Sequence, residues 1–451
     1  MRYRNGGDLK PYVDDDNPPL GVGVWVLILL CLASALSYID RSLLNLVVEP
    51  VKREFSLTDT EISLVQGFAF AFFNAIAGLP IAVISDRWKR APIISAGVAG
   101  WSIATGVFGL ASSFAGLFIS RVLVGVGEAA LAPPAFSMLP DLFSRARLGR
   151  AVAIFTMGGA LGTGLGLILG GMALAWLGAR NGVTLPFVGH LTSWRAAFVL
   201  MSAPGVLLAI LMVLTIREPV RRGPSPTPIQ SNTSLGELGR LLKADALTYA
   251  LIFMAYPFGS LAFNGWLAWS PTFLIRQFEL TPADSAAALG WVFLVFGTGG
   301  ALTSGILNDW MFRRGIVDAP VRLSIFAAIM LAISGVCAPF MPGLIGFLVL
   351  FSVFVFFGSY LAIVPVLIVQ IITPNRQRAQ VSALLLLAVG VIGGGIGPTS
   401  VALLTDQLFQ DEASVGASLA VIAGVCFPLL AVLLLLGAKP YRGTVEARKH
   451  V

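Results

Sequence analysis

Apolar runs of about twenty residues recur along the whole chain, and a run of that length is what an α-helix needs to cross a hydrocarbon layer of about 30 Å. Bounded by charge or by Pro and Gly punctuation, they predict twelve spans: 22–47, 60–84, 92–111, 114–138, 149–177, 194–216, 247–275, 286–308, 321–340, 343–372, 379–405 and 414–438. Composition removes the soluble alternative, since 57% of residues are hydrophobic and only 12% charged, where soluble domains carry about 25% charged residues. The expected fold class is all-α integral membrane.

Between the sixth and seventh runs lies REPVRRGPSPTPIQSNTSLGELGRLLK, a basic, Pro/Ser-rich linker with a short amphipathic tail. It divides the chain into an N-terminal tail (1–21), a six-helix bundle (22–216), the linker (217–246), a second six-helix bundle (247–438) and a C-terminal tail (439–451). Of the 30 Lys and Arg residues, 23 fall on the side of the termini and linker. Only Lys52, Arg53, Arg180, Arg195 and Arg276 fall on the other, with Arg41 and Arg121 inside spans. Because basic residues are retained in the cytoplasm, both termini and the linker are expected there. The net charge of +7 then reflects topology and requires no nucleic-acid partner. The start, MRYRNGGDLKPYVDDDNPPL, is polar and Pro-containing, unlike a cleavable signal. Cys31, Cys337 and Cys426 lie in apolar runs without metal-type spacing and are expected to act as small hydrophobes.

An internal repeat supports two equivalent halves. At a fixed offset of 231, Gly127, Pro134, Arg145, Arg147, Gly162 and Gly166 fall on Gly358, Pro365, Arg376, Arg378, Gly393 and Gly397. Halves related in this way are the construction of transporters that expose a midplane site alternately to either side. The Gly-rich stretches GGALGTGLGLILGG and GVIGGGIGPTS are expected to be packing seams or hinges rather than phosphate loops.

Four charges sit where hydrocarbon-facing helix is expected: Asp40 and Arg41 in the first span, Arg121 and Glu128 two turns apart in the fourth. Each is costly against lipid, so all four should face a wet or paired interior. By depth Asp40 is expected to meet Arg121, with Glu128 roughly 10 Å deeper. Adjacent helical positions point about 100° apart, which leaves Arg41 to face elsewhere. Glu128 corresponds to Ser359 in the repeat, so the second half lacks a matching set. Acids and bases concentrated in one half suggest a proton site whose carboxylates titrate as their neighbours change.

Two further groups are expected to contribute. Asp86, Arg87 and Arg90 after the second span and Asp309 and Arg313 after the eighth are expected, with an Arg pairing an acid such as Asp141 at the end of the fourth, to hold the cytoplasmic side shut in one state. Tyr38, Gln66, Asn74, Thr163, Asn264, Trp266, Trp269, Tyr360 and Gln370 are candidate lining of a central cavity. The aromatic content, with 30 Phe, suits an apolar tail better than a sugar. No GxxxxGK[ST] occurs, and the only histidines are His190 and His450, with no HExxH. ATP hydrolysis, metal binding and enzyme activity are therefore not expected.

Over almost the whole chain these residues resemble the major facilitator superfamily: twelve spans, an internal repeat, SDRWKR, RVLVGVGE and a Gly-rich fifth span. Ala82 and Lys89 replace glycines of the usual loop motif, and Leu167 replaces the proline of the antiporter motif. Within the superfamily, YIDRSLLNLV and SRVLVGVGEAALAPPAFSMLPDLF resemble the Spinster family of lysolipid and sphingosine-phosphate transporters. The resemblance implies that Asp40 and Glu128 form the protonation pair and that Arg41 and Arg121 meet an anionic head group or regulate the acids. It further implies a proton-coupled secondary transporter of an amphipathic anionic lipid, driven by the proton gradient without a cofactor. The basic-residue pattern and short tails fit a bacterial inner membrane, and the protein is expected to function as a monomer. The organic-anion and sugar-acid symporters of the superfamily use the same kinds of charges and form the alternative reading. A non-transporting membrane sensor is the third.

Overall fold

The computed structural model describes residues 19–186, 188–221, 235–374 and 377–448. Among them are twelve helices long and apolar enough to cross a membrane. In chain order these spans are Leu20–Leu46, Asp59–Arg87, Arg90–Leu110, Phe114–Leu142, Arg147–Gly178, Ser193–Thr215, Ala246–Phe278, Pro282–Arg313, Ala319–Phe340, Gly343–Ile372, Gln380–Phe409 and Glu412–Arg448. Helix is the form hydrocarbon permits for single crossings, because each backbone N–H and C=O is satisfied within its own segment. The face that carries the first and last described residues, Pro19 and Arg448, is called the terminal face below, and its opposite the far face.

The boundaries follow the apolar runs closely except at the end. The last helix runs on to Arg448, through residues expected to form a polar tail. Its extension holds because Tyr441, Thr444 and Val445 are buried and because two arginines find acids on the second half. Arg442 lies 2.5 Å from Asp318 and Arg448 lies 2.7 Å from Asp245. Burial alone would push the Asp318 carboxyl up, but hydrogen bonds from Arg322 and Arg442 hold it below the usual carboxylate range. The amphipathic end of the linker is a helix, Leu235–Ala244, with Leu238, Leu241 and Leu242 packed against the buried core. Residues 1–18 of the expected N-terminal tail, 222–234 of the linker and the last three residues lie outside the described residues. A short hairpin pairs Val183–Leu185 with Gly189–Leu191 on the far face; three-residue strands leave no periodic signal in the sequence.

The repeat becomes a repeated contact. A Cβ on Gly162 would stand 2.6 Å from the Ala35 carbonyl oxygen, and one on Gly166 would stand 2.7 Å from Ile39 Cα, so span 5 lies directly on span 1. In the second half a Cβ on Gly393 would meet Ser260 Oγ, and one on Gly397 would stand 2.5 Å from the Leu261 carbonyl oxygen, so span 11 lies directly on span 7. The glycines are thus seams of backbone approach, as small residues are between membrane helices.

The two halves meet along spans 2 and 11 and along spans 5 and 8. A Cβ on Gly67 would stand 2.6 Å from the Gly394 carbonyl oxygen, and one on Gly171 2.5 Å from Ala286 Cβ. Spans 2, 8 and 11 each contain a π-helical stretch, at Leu64–Phe68, Phe293–Gly297, Val389–Ile396 and Leu404–Phe409. Such turns are uncommon and are found mostly at functional places. Towards the far face one hydrophobic core is shared by both halves, and in the second half it continues to the terminal face, where it includes Tyr249, Ile372 and Tyr441. Towards the terminal face the first half has a separate core of its own, built from Val26, Trp101, Met138 and Met212 among others.

Candidate functional site

Spans 1 to 4 bring the four intramembrane charges together, but in a different pairing from the one expected. Glu128 Oε2 accepts from Ser37 Oγ at 2.5 Å, from Arg41 Nε at 3.1 Å and, still more closely, from Arg41 Nη2. Arg41 Nη2 also donates to Ser37 Oγ at 3.2 Å. Asp40 instead accepts from Thr105 Oγ1 of span 3 at 3.1 Å. Arg121 is 2% exposed, and its Nε has no hydrogen-bond partner among the described residues.

The reason lies in side-chain direction. A long helical side chain leans back over the preceding turn, so Arg41 reaches Ser37, four residues earlier, and the carboxylate beside it. Asp40, about 100° around the same helix, faces span 3. Span 4 also breaks just past Glu128: its first helical segment ends there, Ala129 to Leu131 form a turn, and Pro133 and Pro134 open the next segment. The carboxylate therefore sits at a helix end close to span 1. An unpaired ionised residue at the centre of a membrane helix costs about 2.5–3.5 kcal/mol on insertion scales, which is why each acid is held by a donor.

Phe70 of span 2 ties the cluster together, with the Arg41 guanidinium 4.2 Å and that of Arg121 5.6 Å from its ring centroid. Arg41 also stacks on Tyr38, at 4.8 Å. Its side chain is 35% exposed while that of Glu128 is 1% exposed; Arg41 is thus the charge of the cluster that meets open space. Sequence reasoning missed Ser37, Phe70 and Thr105. Only Ser37 had a signal, its four-residue spacing from Arg41.

The expected cavity lining divides in two. Trp266 and Trp269 are fully buried. Trp266 packs among Phe347, Phe351 and Phe354 and donates to the Leu419 carbonyl at 3.1 Å. Trp269 donates to the Pro398 carbonyl at 2.9 Å. Both belong to the packed interior of the second half, because an indole between helices gains more from stacking and one carbonyl than from water. Tyr360 is also buried, its hydroxyl 3.4 Å from Thr303 Oγ1. Thr163 and Asn264 bond within their own helices, and Asn74 joins spans 2 and 4 through the Gly125 carbonyl at 2.9 Å. Tyr38 and Gln370 are exposed. Gln66 is buried and spans the halves, donating to Asn45 Oδ1 at 3.2 Å and to the Ala268 carbonyl at 3.4 Å. A surface groove of about 590 Å³ between spans 11 and 12 has an apolar lining including Leu403, Val421 and Val425, remote from the charges.

Of the residues expected to hold the terminal face shut in one state, Arg90 and Asp141 do pair, though within the first half. Arg90 pairs with Asp141 at 2.6 Å and with Glu218 at 2.8 Å, and donates to the Ser137 carbonyl at 2.7 Å. All of these lie in the first half. Glu218 also accepts from the Ala91 N–H, and Arg221 donates to the carbonyls of Ser85, Asp86 and Trp88 at the end of span 2. This is a brace binding spans 2, 3, 4 and the chain after span 6. Asp86, Arg87, Asp309 and Arg313 are exposed and make no ion pair among the described residues. Arg90 is almost wholly buried and is bonded to Asp141, Glu218 and the Ser137 carbonyl, so Arg90→Gln removes the cation at the centre of the brace. It is expected to cost about 1–3 kcal/mol, read as a lower unfolding temperature of the detergent-purified protein.

The ionic contacts between halves lie on the far face instead. Arg276, at the end of span 7, donates to both carboxylate oxygens of Asp59 at 2.7 Å and to Glu49 at 2.8 Å. Lys52 pairs closely with Asp59 and lies 2.9 Å from Glu412 of the second half. Beside them, the Thr60 backbone N–H and hydroxyl donate to Asp406 at 2.7 and 2.6 Å. With the shared core on that side, the structure is closed at the far face. Among the described residues no ion pair joins the halves at the terminal face.

The family model described as the Major Facilitator Superfamily matches residues 30–398. The chain is 28% identical over 385 residues to an MFS-type efflux pump of Mycolicibacterium smegmatis, covering 85% of this chain and 84% of the relative. It is 25% identical over 297 residues to a hexuronate transporter of Bacillus subtilis, covering 64% and 65%. With Protein spinster homolog 1 of Mus musculus it shares 27% identity over 424 residues, covering 86% and 74%. A solved bacterial homologue of the human lysosomal transporter Spinster, in an inward-facing and occupied conformation, superposes with a TM-score of 0.76 at 24% identity, covering 94% of this chain and 97% of that one.

Proposed function

The chain belongs to the Major Facilitator Superfamily, and from that premise we propose that it is a proton-coupled secondary transporter of an anionic, amphipathic lipid. The observation that carries this reading is Arg41: paired to buried Glu128, stacked on Tyr38 and Phe70, and still one-third exposed. Protonation of Glu128 removes the charge that holds the guanidinium, leaving Arg41 free to take an anionic head group. A head group bound there in turn favours the protonated acid. Asp40 and Arg121 complete a balanced set of two acids and two bases, and Arg121 keeps an unused donor. The proton gradient is the energy source, and the halves rock between far-closed and far-open states. Lys and Arg asymmetry supports a cytoplasmic terminal face, in a bacterial inner membrane.

The alternative is a sugar-acid symporter, favoured by the hexuronate transporter among the relatives. What weighs for a lipid is aromatic surface: the Arg41 guanidinium lies against the rings of Tyr38 and Phe70, and elsewhere on span 2 Phe68, Phe72 and Phe73 form a partly exposed aromatic row. A sugar would need several hydroxyl partners instead, because buried polar groups must be hydrogen-bonded. In proteoliposomes with an imposed pH gradient, lysophosphatidylglycerol is expected to be moved and glucuronate not. Glucuronate uptake without lysolipid movement would transfer the assignment to the sugar-acid reading.

A further inference from the structure

The far-face ion cluster contains more than a lock. Five charged side chains take part: Glu49, Lys52 and Asp59 from the first half, Arg276 and Glu412 from the second. Each cation has acids on both sides of the divide. Lys52 pairs with Asp59 in its own half and with Glu412 across the seam. Arg276 pairs with Asp59 and Glu49 across the seam. In its own half its Nη2 lies 3.5 Å from Glu412 Oε2, and Nη1 donates to the Glu412 carbonyl at 3.0 Å.

We infer that this cluster is a partner-exchange latch: when the far face opens, Lys52 keeps Asp59 and Arg276 keeps Glu412, so that Asp59, the fully buried acid of the cluster, is never left without a cation. The physical demand comes from Asp59, which is fully buried in the closed structure and receives charge-assisted bonds from both cations. Losing Arg276 without a resident cation would strand it, and a stranded buried charge is far more costly than a broken exposed pair. Lys52 is that resident cation. Glu412 needs less protection, being 63% exposed, and a pair with a mostly exposed acid contributes little to closure. The inference rests on the fold and not on any substrate.

A simple lock and an exchange latch predict opposite signs for one substitution. Arg276→Gln removes the main bond across the seam and leaves buried Asp59 its resident Lys52, while Glu49, at the seam, loses its cation and is hydrated as the face opens, so both schemes expect the far face to open. Lys52→Met removes the weak bond to Glu412 but leaves Asp59 unpaired once Arg276 departs. A simple lock expects opening, whereas the exchange latch expects the protein to stay shut. In the double variant Lys52→Met/Asp59→Asn no charge is left to strand, and the latch expects opening again.

The test is double electron–electron resonance on the full chain in lipid nanodiscs, with Cys31, Cys337 and Cys426 replaced by serine and spin labels at exposed Arg53 and Gln277. Arg276→Gln and the double variant are expected to raise the ratio of far-open to far-closed molecules by about tenfold or more, and Lys52→Met to leave it unchanged or lower. Lys52→Gln, which keeps a neutral donor beside Asp59, serves if Lys52→Met does not fold and is expected to act in the same direction. Opening by the Lys52 single variant to the extent seen with Arg276→Gln would overturn the exchange, as would unchanged distances in Arg276→Gln.

Discussion

Glu128→Gln is expected to reduce pH-gradient-driven transport to the level of protein-free vesicles while the protein remains monodisperse in detergent. Glutamine keeps an acceptor for Ser37 and fills the same space, so the packing between spans 1 and 4 is preserved. What it lacks is the charge that grips Arg41 and the ability to exchange a proton. Asp40→Asn is expected to have the same effect through a different contact, since the amide oxygen can still accept from Thr105. Full pH-driven transport in both variants would end the proton-coupling assignment. Loss in one alone would identify which carboxylate carries the proton. Ser37→Ala should be milder, because Glu128 then still holds Arg41 through Nε and Nη2.

The second large effect concerns folding. Gly166→Val and Gly397→Val place side chains where the neighbouring backbone already stands, 2.7 Å from Ile39 Cα and 2.5 Å from the Leu261 carbonyl oxygen. Backbone cannot rotate away as a flexible side chain can, so spans 1 and 5, or 7 and 11, must separate. Overpacking of this kind costs about 1–3 kcal/mol or more, and each variant is expected to show a lower unfolding temperature and a lower purified yield. Gly100, whose added Cβ would meet nothing within 4 Å, is the control. Gly100→Ala should fold at least as well as the parent, because alanine is the better helix former. Equal stability of all three would mean that the glycine seams are not close contacts.

Much of the architecture was legible because the solvent is so restrictive. Hydrocarbon demands a long apolar helix for each crossing, and any run of the right length and polarity satisfies it. The twelve spans were readable in that way, and the glycine seams from their runs of small residues. The extension to Arg448 was not, since Lys439, Pro440 and Arg442 look like a tail when read alone. Their helix depends on Tyr441 and Val445 being covered and on Asp318 and Asp245 standing opposite the arginines. Trp266 and Trp269 were misread for a related reason: an aromatic ring serves a cavity or a core equally well, and only its neighbours distinguish the two.

The charges divide along the same line. That Asp40, Arg41, Arg121 and Glu128 must share a protected interior follows from sequence, because lipid penalises every one of them. Which acid meets which base does not follow, since helical depth places Cα atoms but not the end of a flexible arginine. Arg41 reaches back one turn to Glu128, and Asp40 turns to Thr105. The sealed face was likewise beyond sequence. Asp86, Arg87, Asp309 and Arg313 had the composition of a closure and are exposed. Glu49, Lys52, Asp59, Arg276 and Glu412 are spread over some 360 positions and form one only after both halves have folded and docked. Hydrophobic length acts within a single helix and can be read from it, whereas an ion pair depends on two distant backbones bringing the charged ends of their side chains within 4 Å.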